Sequence, residues 1–282
     1  MLFPNDDLLR AETITSSKEL MAQRLYVMHE LQSPKPKILV THISSLMRFM
    51  PNPELFISLS FNLKVGMKAD LMQLRTKLVR GGYARVGKID QSMQFASRGD
   101  ILDIFSVNYL RPIRIEFFGD EIESIRYFDI ATQSSDERID DVTITPANDV
   151  LFTDEEVLRL GVALNERVLQ DGAMLNNDEK DNLSSITKED YERIKDGHIH
   201  PRNYKYYGYA QREHFSILDY ADFELVFAVN KEAILASQGL YQNEARLFLD
   251  ELVESGKIVS HLEIYRDWNK IFKGTNKPLH SK

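Results

Sequence analysis

The sequence contains no cysteine. That removes a disulfide framework, a thiolate zinc site and a cysteine nucleophile together, and it accords with a reducing compartment. Glycine and proline are sparse, at 13 and 9 of 282 residues, while 43% of the chain is hydrophobic, so wholesale disorder is excluded and real cores are expected. No apolar run approaches the roughly 18 residues of a membrane span. The start, MLFPNDDLLR, has acids where a secretory signal has basic and then apolar residues, and a cytoplasmic protein with no membrane partner is expected. A phosphate-gripping loop is missing too. Gly256-Lys257 is followed by Ile258 with no glycine five positions earlier, and Gly81-Gly82 reads as a helix stop. No cofactor is expected.

The length suits about two domains at roughly 150 residues each. A net charge of −8 argues against nucleic acid wrapped over the whole surface. The charge is uneven, however. Residues 75–98 hold Arg75, Lys77, Arg80, Arg85, Lys88 and Arg98 against the single acid Asp90, whereas residues 116–141 hold nine acids against Arg126 and Arg138. Opposite poles of this kind suit a module that meets a charged partner.

Along the chain, MLFP, SSKELMAQRLYVMHEL, residues 38–40 and a short following segment alternate strand, helix, strand, helix, the rhythm of a parallel α/β layer. Ser16 and Glu19 form a capping-box pattern ahead of that first helix. From about Pro51 the rhythm changes. ELFISLSFNLKVG alternates like a strand, MKADLMQLRTKLVRGG has helical spacing, and YARVGKI, MQFASRGDILDIFSV, PIRIEFFGDEIESIRYFD and DVTITPA follow as closely spaced strands. Ile101, Ile104, Ile113 and Ile115 alternate with charged neighbours, as a sheet with one wet face requires. After Pro146 helix returns, with Thr153 as cap. A polar spacer at residues 171–182, a helix at TKEDYERIKDG, a strand at YADFELVFAVN, two helices flanking a turn at Gly239 and a terminal tail complete the expectation. The fold class is α/β plus α+β.

Several constellations could carry chemistry. His198 and His200 stand two apart, as metal ligands or as part of a solvated loop. Asp120 and Glu121 fit an acid–base pair or a solvated turn. Tyr204, Tyr206, Tyr207 and Tyr209, interleaved with Arg202, Lys205 and Arg212, fit a stacking platform for single-stranded nucleic acid or a loop docked by its aromatics. In each case the second alternative is the expected one. Arg98, Arg111, Arg114 and Arg126, set among acids, fit either a surface for another protein or ion pairs within the sheet.

GGYARVGKID, SRGDILDIF and PIRIEFFGDEIESIRYFDIATQSS resemble the second domain of the bacterial transcription-repair coupling factors, shared with the excision-repair helicase UvrB; Arg98-Gly99, residues 114–123, Phe128-Asp129 and residues 132–134 carry the match. LFPNDDLLRAETITSSKELMAQRL and YYGYAQREHFSILDYADFELVFAVNKEAI resemble the two halves of the first domain. The resemblance implies an incomplete P-loop-like parallel α/β domain, residues 1–50 and 146–282, with an inserted, mainly antiparallel α+β domain at 51–145. It implies that the inserted domain docks UvrA through Arg85 and Arg98, with Ala96 where UvrB has a further arginine. It also implies a non-catalytic module that recruits UvrA, whose parent reaches RNA polymerase and DNA through other domains and carries the ATP-driven motor elsewhere. A fragment of a UvrB-type helicase that contacts DNA is the alternative function, and pairing of Arg98 with Asp100 or Asp103 within the sheet is the structural alternative to its UvrA contact.

Overall fold

A computed structural model of the chain describes residues 1–5, 17–267 and 270–271, together with the backbone of 279–281. It divides into two compact units, Met1–Asn52 with Phe152–Lys282, and Pro53–Leu151.

The first unit opens with β1 (Leu2–Phe3), α1 (Lys18–Leu31), β2 (Val40–Thr41) and α2 (Ile43–Met47). β1 and β2 pair in parallel, Leu2 opposite Val40 and Phe3 opposite Thr41. α1 buries Met21, Leu25, Met28 and Leu31 along one side, at the spacing of a helical stripe. Its cap is Ser17, whose Oγ accepts from the Leu20 amide at 3.3 Å; Ser16, expected in that role, lies outside the described residues. Ile38, expected within β2, precedes it and is 78% exposed.

The second unit begins with α3 (Pro53–Leu59), where alternation suggested a strand. Pro53 supplies the fixed φ that suits a helix start, and Leu55, Phe56 and Leu59 bury one side. The strand is confined to β3 (Phe61–Lys64). α4 (Leu71–Arg80) is capped by Asp70, whose Oδ1 accepts from the Met72 and Gln73 amides at 2.8 and 3.2 Å. It stops at Gly81-Gly82, where Gly82 takes φ +89°, a conformation that favours glycine. β4 (Ala84–Arg85), β5 (Gln94–Arg98), β6 (Ile101–Phe105), β7 (Ile113–Phe118), β8 (Glu121–Phe128) and β9 (Ser135–Ile139) then form a six-stranded sheet in chain order. β4 and β5 are parallel, and the remaining neighbours are antiparallel. β10 (Asp141–Ile144) returns to pair antiparallel with β3. Phe95, Leu102, Ile104, Ile113, Ile115, Phe117 and Ile122 from the sheet meet Leu74 and Leu78 of α4 in one core, closed by Leu63, Val142 and Ile144. Ile101 is not part of it; Leu102 takes that place.

The chain returns to the first unit with α5 (Asp154–Asp171) and α6 (Asn177–Lys195). Thr153 and Glu156 form a reciprocal capping box on α5, with Asp154 and Glu155 also in the first turn, where acids suit the helix dipole. Asn176 and Glu179 do the same for α6, which therefore begins inside the polar stretch expected to be a spacer. A 3₁₀ turn (Pro201–Tyr206), α7 (Tyr207–Ala210), β11 (Val226–Ala228), α8 (Lys231–Glu254) and β12 (Leu279–Ser281) follow, β12 running parallel to β11. α8 is one helix. A Cβ at Gly239 would meet nothing within 4 Å, so this glycine sits in open space, where it costs only about 1 kcal/mol relative to alanine and does not break the helix. Among the described residues no helix is long and apolar enough to cross a membrane.

α5 and α6 approach closely at Gly161, where an added Cβ would lie 2.7 Å from the Tyr191 ring. Gly161→Val should therefore overpack this contact and cost about 1–3 kcal/mol, seen as a lowered melting temperature. An unchanged melt would show that the helices do not pack there.

Candidate functional site

Strand alternation gives the large sheet two unlike faces. Phe95, Leu102, Ile104, Ile113 and Ile115 look toward α4. Their neighbours on the other face form a register row, Ala96 opposite Asp103, Asp103 opposite Arg114, Arg114 opposite Arg126, and Arg126 opposite Arg138. The charges of the 95–129 stretch thus sit where the core excludes them.

Arg98 ends β5, paired with Ile101 across the two-residue turn Gly99-Asp100. Gly99 takes φ +55°, which a glycine at the first turn position of a hairpin permits. Arg98 is exposed, and its guanidinium donates to the carbonyl of Gly87, in the connection between β4 and β5. Neither Asp100 nor Asp103 is its partner. Asp103 is taken by Arg114, Nε to Oδ1 at 2.8 Å and the other arm to Oδ2 at 2.9 Å.

Arg85 lies on β4, the end strand of the sheet, and is exposed. Its register partner is Phe95, so its Cβ starts on the α4 face, whereas Arg98 shares the side of Ala96. The two arginines therefore occupy one edge of the sheet rather than one face. Arg75, on α4, reaches the same region through Nε to Ser97 Oγ at 2.8 Å.

The other arginines of the stretch are engaged within the unit. Arg114 also donates to the Gln133 carbonyl at 3.1 Å and lies 4.7 Å from the Phe128 ring centroid, and its hydrogen bonds to Asp103 push its pKa up. Arg111 pairs with Asp136 and, at 3.5 Å, with Glu137. Arg126 Nε is 3.9 Å from Glu116. Asp129 accepts from the Thr132 amide and hydroxyl at 2.8 and 3.0 Å, which holds its carboxyl below the usual range and shapes the turn on which Gln133 adopts φ +61°. The FD and TQS residues are thus turn-formers, and Phe128 is fully buried.

The connection between β4 and β5 is itself built. Ile89, 1% exposed, joins Val86, Ala96, Phe105 and Phe128 in a satellite core beneath the sheet. Gln94 Oε1 accepts from the Asp90 and Gln91 amides at 3.0 and 3.3 Å. Nothing in residue order marks Gln94 or Gly87 as partners of this edge.

The remaining candidates fall to structural roles. Tyr204, Tyr206 and Tyr207 are buried and Tyr209 is half-buried; Tyr204 and Tyr209 donate to the carbonyls of Ile264 and Ser260, and Tyr206 donates to Asp190 at 2.8 Å. Asp190 also meets Arg202 at 3.1 Å and Lys205 at 3.5 Å. These rings dock their segment and offer no stacking platform. His200 caps the 3₁₀ turn through Nδ1, which accepts from the Arg202 amide at 3.2 Å, and no cluster suited to a metal occurs among the described residues. Asp120 sits on an exposed turn, 3.1 Å from Lys68.

Residues 61–150, nearly all of the second unit, match the family model described as the UvrB interaction domain. Across nearly its whole length the chain is similar to transcription-repair-coupling factors. It is 30% identical over 281 residues to the protein of that name from Bacillus subtilis (strain 168), covering 99% of this chain and 24% of the relative. It is 28% identical over 282 residues to that of Staphylococcus aureus (strain bovine RF122 / ET3-1), covering 96% and 24%. With the protein of Staphylococcus aureus (strain Mu50 / ATCC 700699), identity is 36% over 157 residues, 56% of this chain and 13% of the relative. The chain thus spans about a quarter of the length of the first two relatives.

The two kinds of arginine separate in stability. Arg114→Ala leaves the largely buried Asp103 carboxylate without its fork and should cost about 1.5–3 kcal/mol, whereas Arg98→Ala removes one exposed bond and should cost about 1 kcal/mol or less. Chemical denaturation of both variants measures this, and equal losses would make Arg98 structural.

Proposed function

We propose that the chain is a protein-binding module of a transcription-repair coupling factor and that it recruits UvrA in nucleotide excision repair. In this reading the second unit is a UvrB-type second domain and the first unit is the two parts of an α/β domain of UvrB type. The observation that carries it is that Arg85 and Arg98, the positions at which the resemblance puts the UvrA contact, are both exposed at one edge of the unit that matches the UvrB interaction domain. Guanidinium groups suit such a contact because their planar forks pair bidentately with carboxylates. Catalysis, and contacts with RNA polymerase and DNA, belong to other parts of a cytoplasmic parent.

Arg85→Glu with Arg98→Glu should weaken UvrA binding by several kcal/mol, since breaking one buried interfacial charge pair costs about 2–5 kcal/mol. The melting temperature should hold, because both side chains are exposed. Calorimetry gives the affinity; unchanged affinity with a native melt refutes the site. Calorimetry with ATP and Mg²⁺ should show no binding by this chain, and micromolar binding would overturn its assignment as a non-catalytic module.

A further inference from the structure

Residues 86–93 join two parallel strands in a span shorter than the dozen or more residues such a crossover normally takes. The segment manages this by passing beneath the sheet, and it is tied along most of its length. The Val86 amide donates to Phe95 at 2.9 Å, Gly87 accepts from Arg98, Ile89 is buried, Asp90 and Gln91 donate to Gln94, and the Met93 amide donates to Phe105 at 2.7 Å. Met93 adopts φ +66°, which a side chain other than glycine tolerates only where its surroundings fix it. Between these ties stands Lys88, exposed and without an ion pair among the described residues.

Lys88 is ten residues from Arg98 in sequence, yet it directly follows the residue whose carbonyl anchors the Arg98 guanidinium. Its Cα lies about 3.8 Å from that of Gly87. The loop therefore places an exposed lysine next in the chain to the carbonyl that orients the Arg98 guanidinium, with Arg85 on the strand that feeds the loop. Order imposed before binding reduces the entropy lost on association. Exposed Asp90 and Asp100 flank the group and disfavour a continuous polyanion, which leaves discrete carboxylates on a protein surface as the fitting counterpart.

We infer that residues 86–93 form a preformed finger in which Lys88 is a third cation contacting carboxylates of the UvrA surface, with Gln94 as a positioning residue that holds the finger in place. This rests on the UvrA reading above. The test measures UvrA affinity of the whole chain and of Lys88→Glu, Gln94→Ala and Gln94→Glu, beside the Arg85/Arg98 double reversal, with melting temperatures and amide exchange at Asp90 and Gln91. Lys88→Glu should weaken binding about tenfold or more without lowering the melt. Gln94→Ala should speed exchange at both amides and weaken binding, and Gln94→Glu, which keeps the acceptor, should restore both. Wild-type affinity in Lys88→Glu, where the double reversal abolishes binding, would overturn the finger and leave the UvrA reading standing. Absence of UvrA binding by the unmodified chain would overturn both. Tight binding of a labelled DNA duplex that Lys88→Glu abolishes would overturn the carboxylate assignment.

Discussion

Alternation along β5 commits one side of the sheet to apolar burial, and the rest of the second unit is arranged around that commitment. Phe95 and Ser97 turn toward α4, while Ala96 and Arg98 turn away. Each large apolar side chain moved from water into that core contributes about 1.5–3 kcal/mol. A slip of one residue would exchange Leu102 and Ile104 for Asp103, so the register is fixed by the cost of the alternative. Charges then lie on the outer face, where Asp103 and Arg114 neutralise each other, and at the rim, where Arg85, Lys88 and Arg98 form no ion pair among the described residues.

The rim differs from the outer face because β4 is short and parallel to its neighbour. A hairpin there would have needed only a tight turn. Parallel pairing instead sends residues 86–93 under the sheet, which creates the satellite core of Ile89, Ala96 and Phe128 and brings Gly87 to Arg98. The exposed rim cations and the packing that orients Arg98 thus arise from one topological choice.

Much of this was legible in residue order because it depends on local chemistry. The period-two alternation of Leu102 with Ile104 and of Ile113 with Ile115, together with the glycine turns, marked the sheet, and Thr153 with its following acids marked α5. Legibility failed where a pattern fitted two structures. The run after Pro53 alternates well enough for a strand, yet the proline start and the Leu55, Phe56 and Leu59 spacing give α3. Gly239 looked like a break, but open space around it removed any reason to bend. The positions proposed for the UvrA contact, Arg85 and Arg98, were marked by family resemblance alone. Their location on one edge, rather than one face, required the parallel register of Arg85 with Phe95, which no local pattern encodes.

The pairing of β3 with β10 sets Phe61 opposite Ile144, so the two ends of the second unit leave it side by side. The unit is therefore a closed loop in the chain, interrupting the first unit between Asn52 and Phe152. On a ribosome adding about 5–20 residues per second, the roughly hundred inserted residues emerge over about 5–20 s before the first unit's second half begins to appear. At the end of that interval the strands of the inserted unit have all been made, while β1, β2 and α1 still lack the partners encoded after Phe152. The order of synthesis thus gives the binding domain precedence over the domain that carries it.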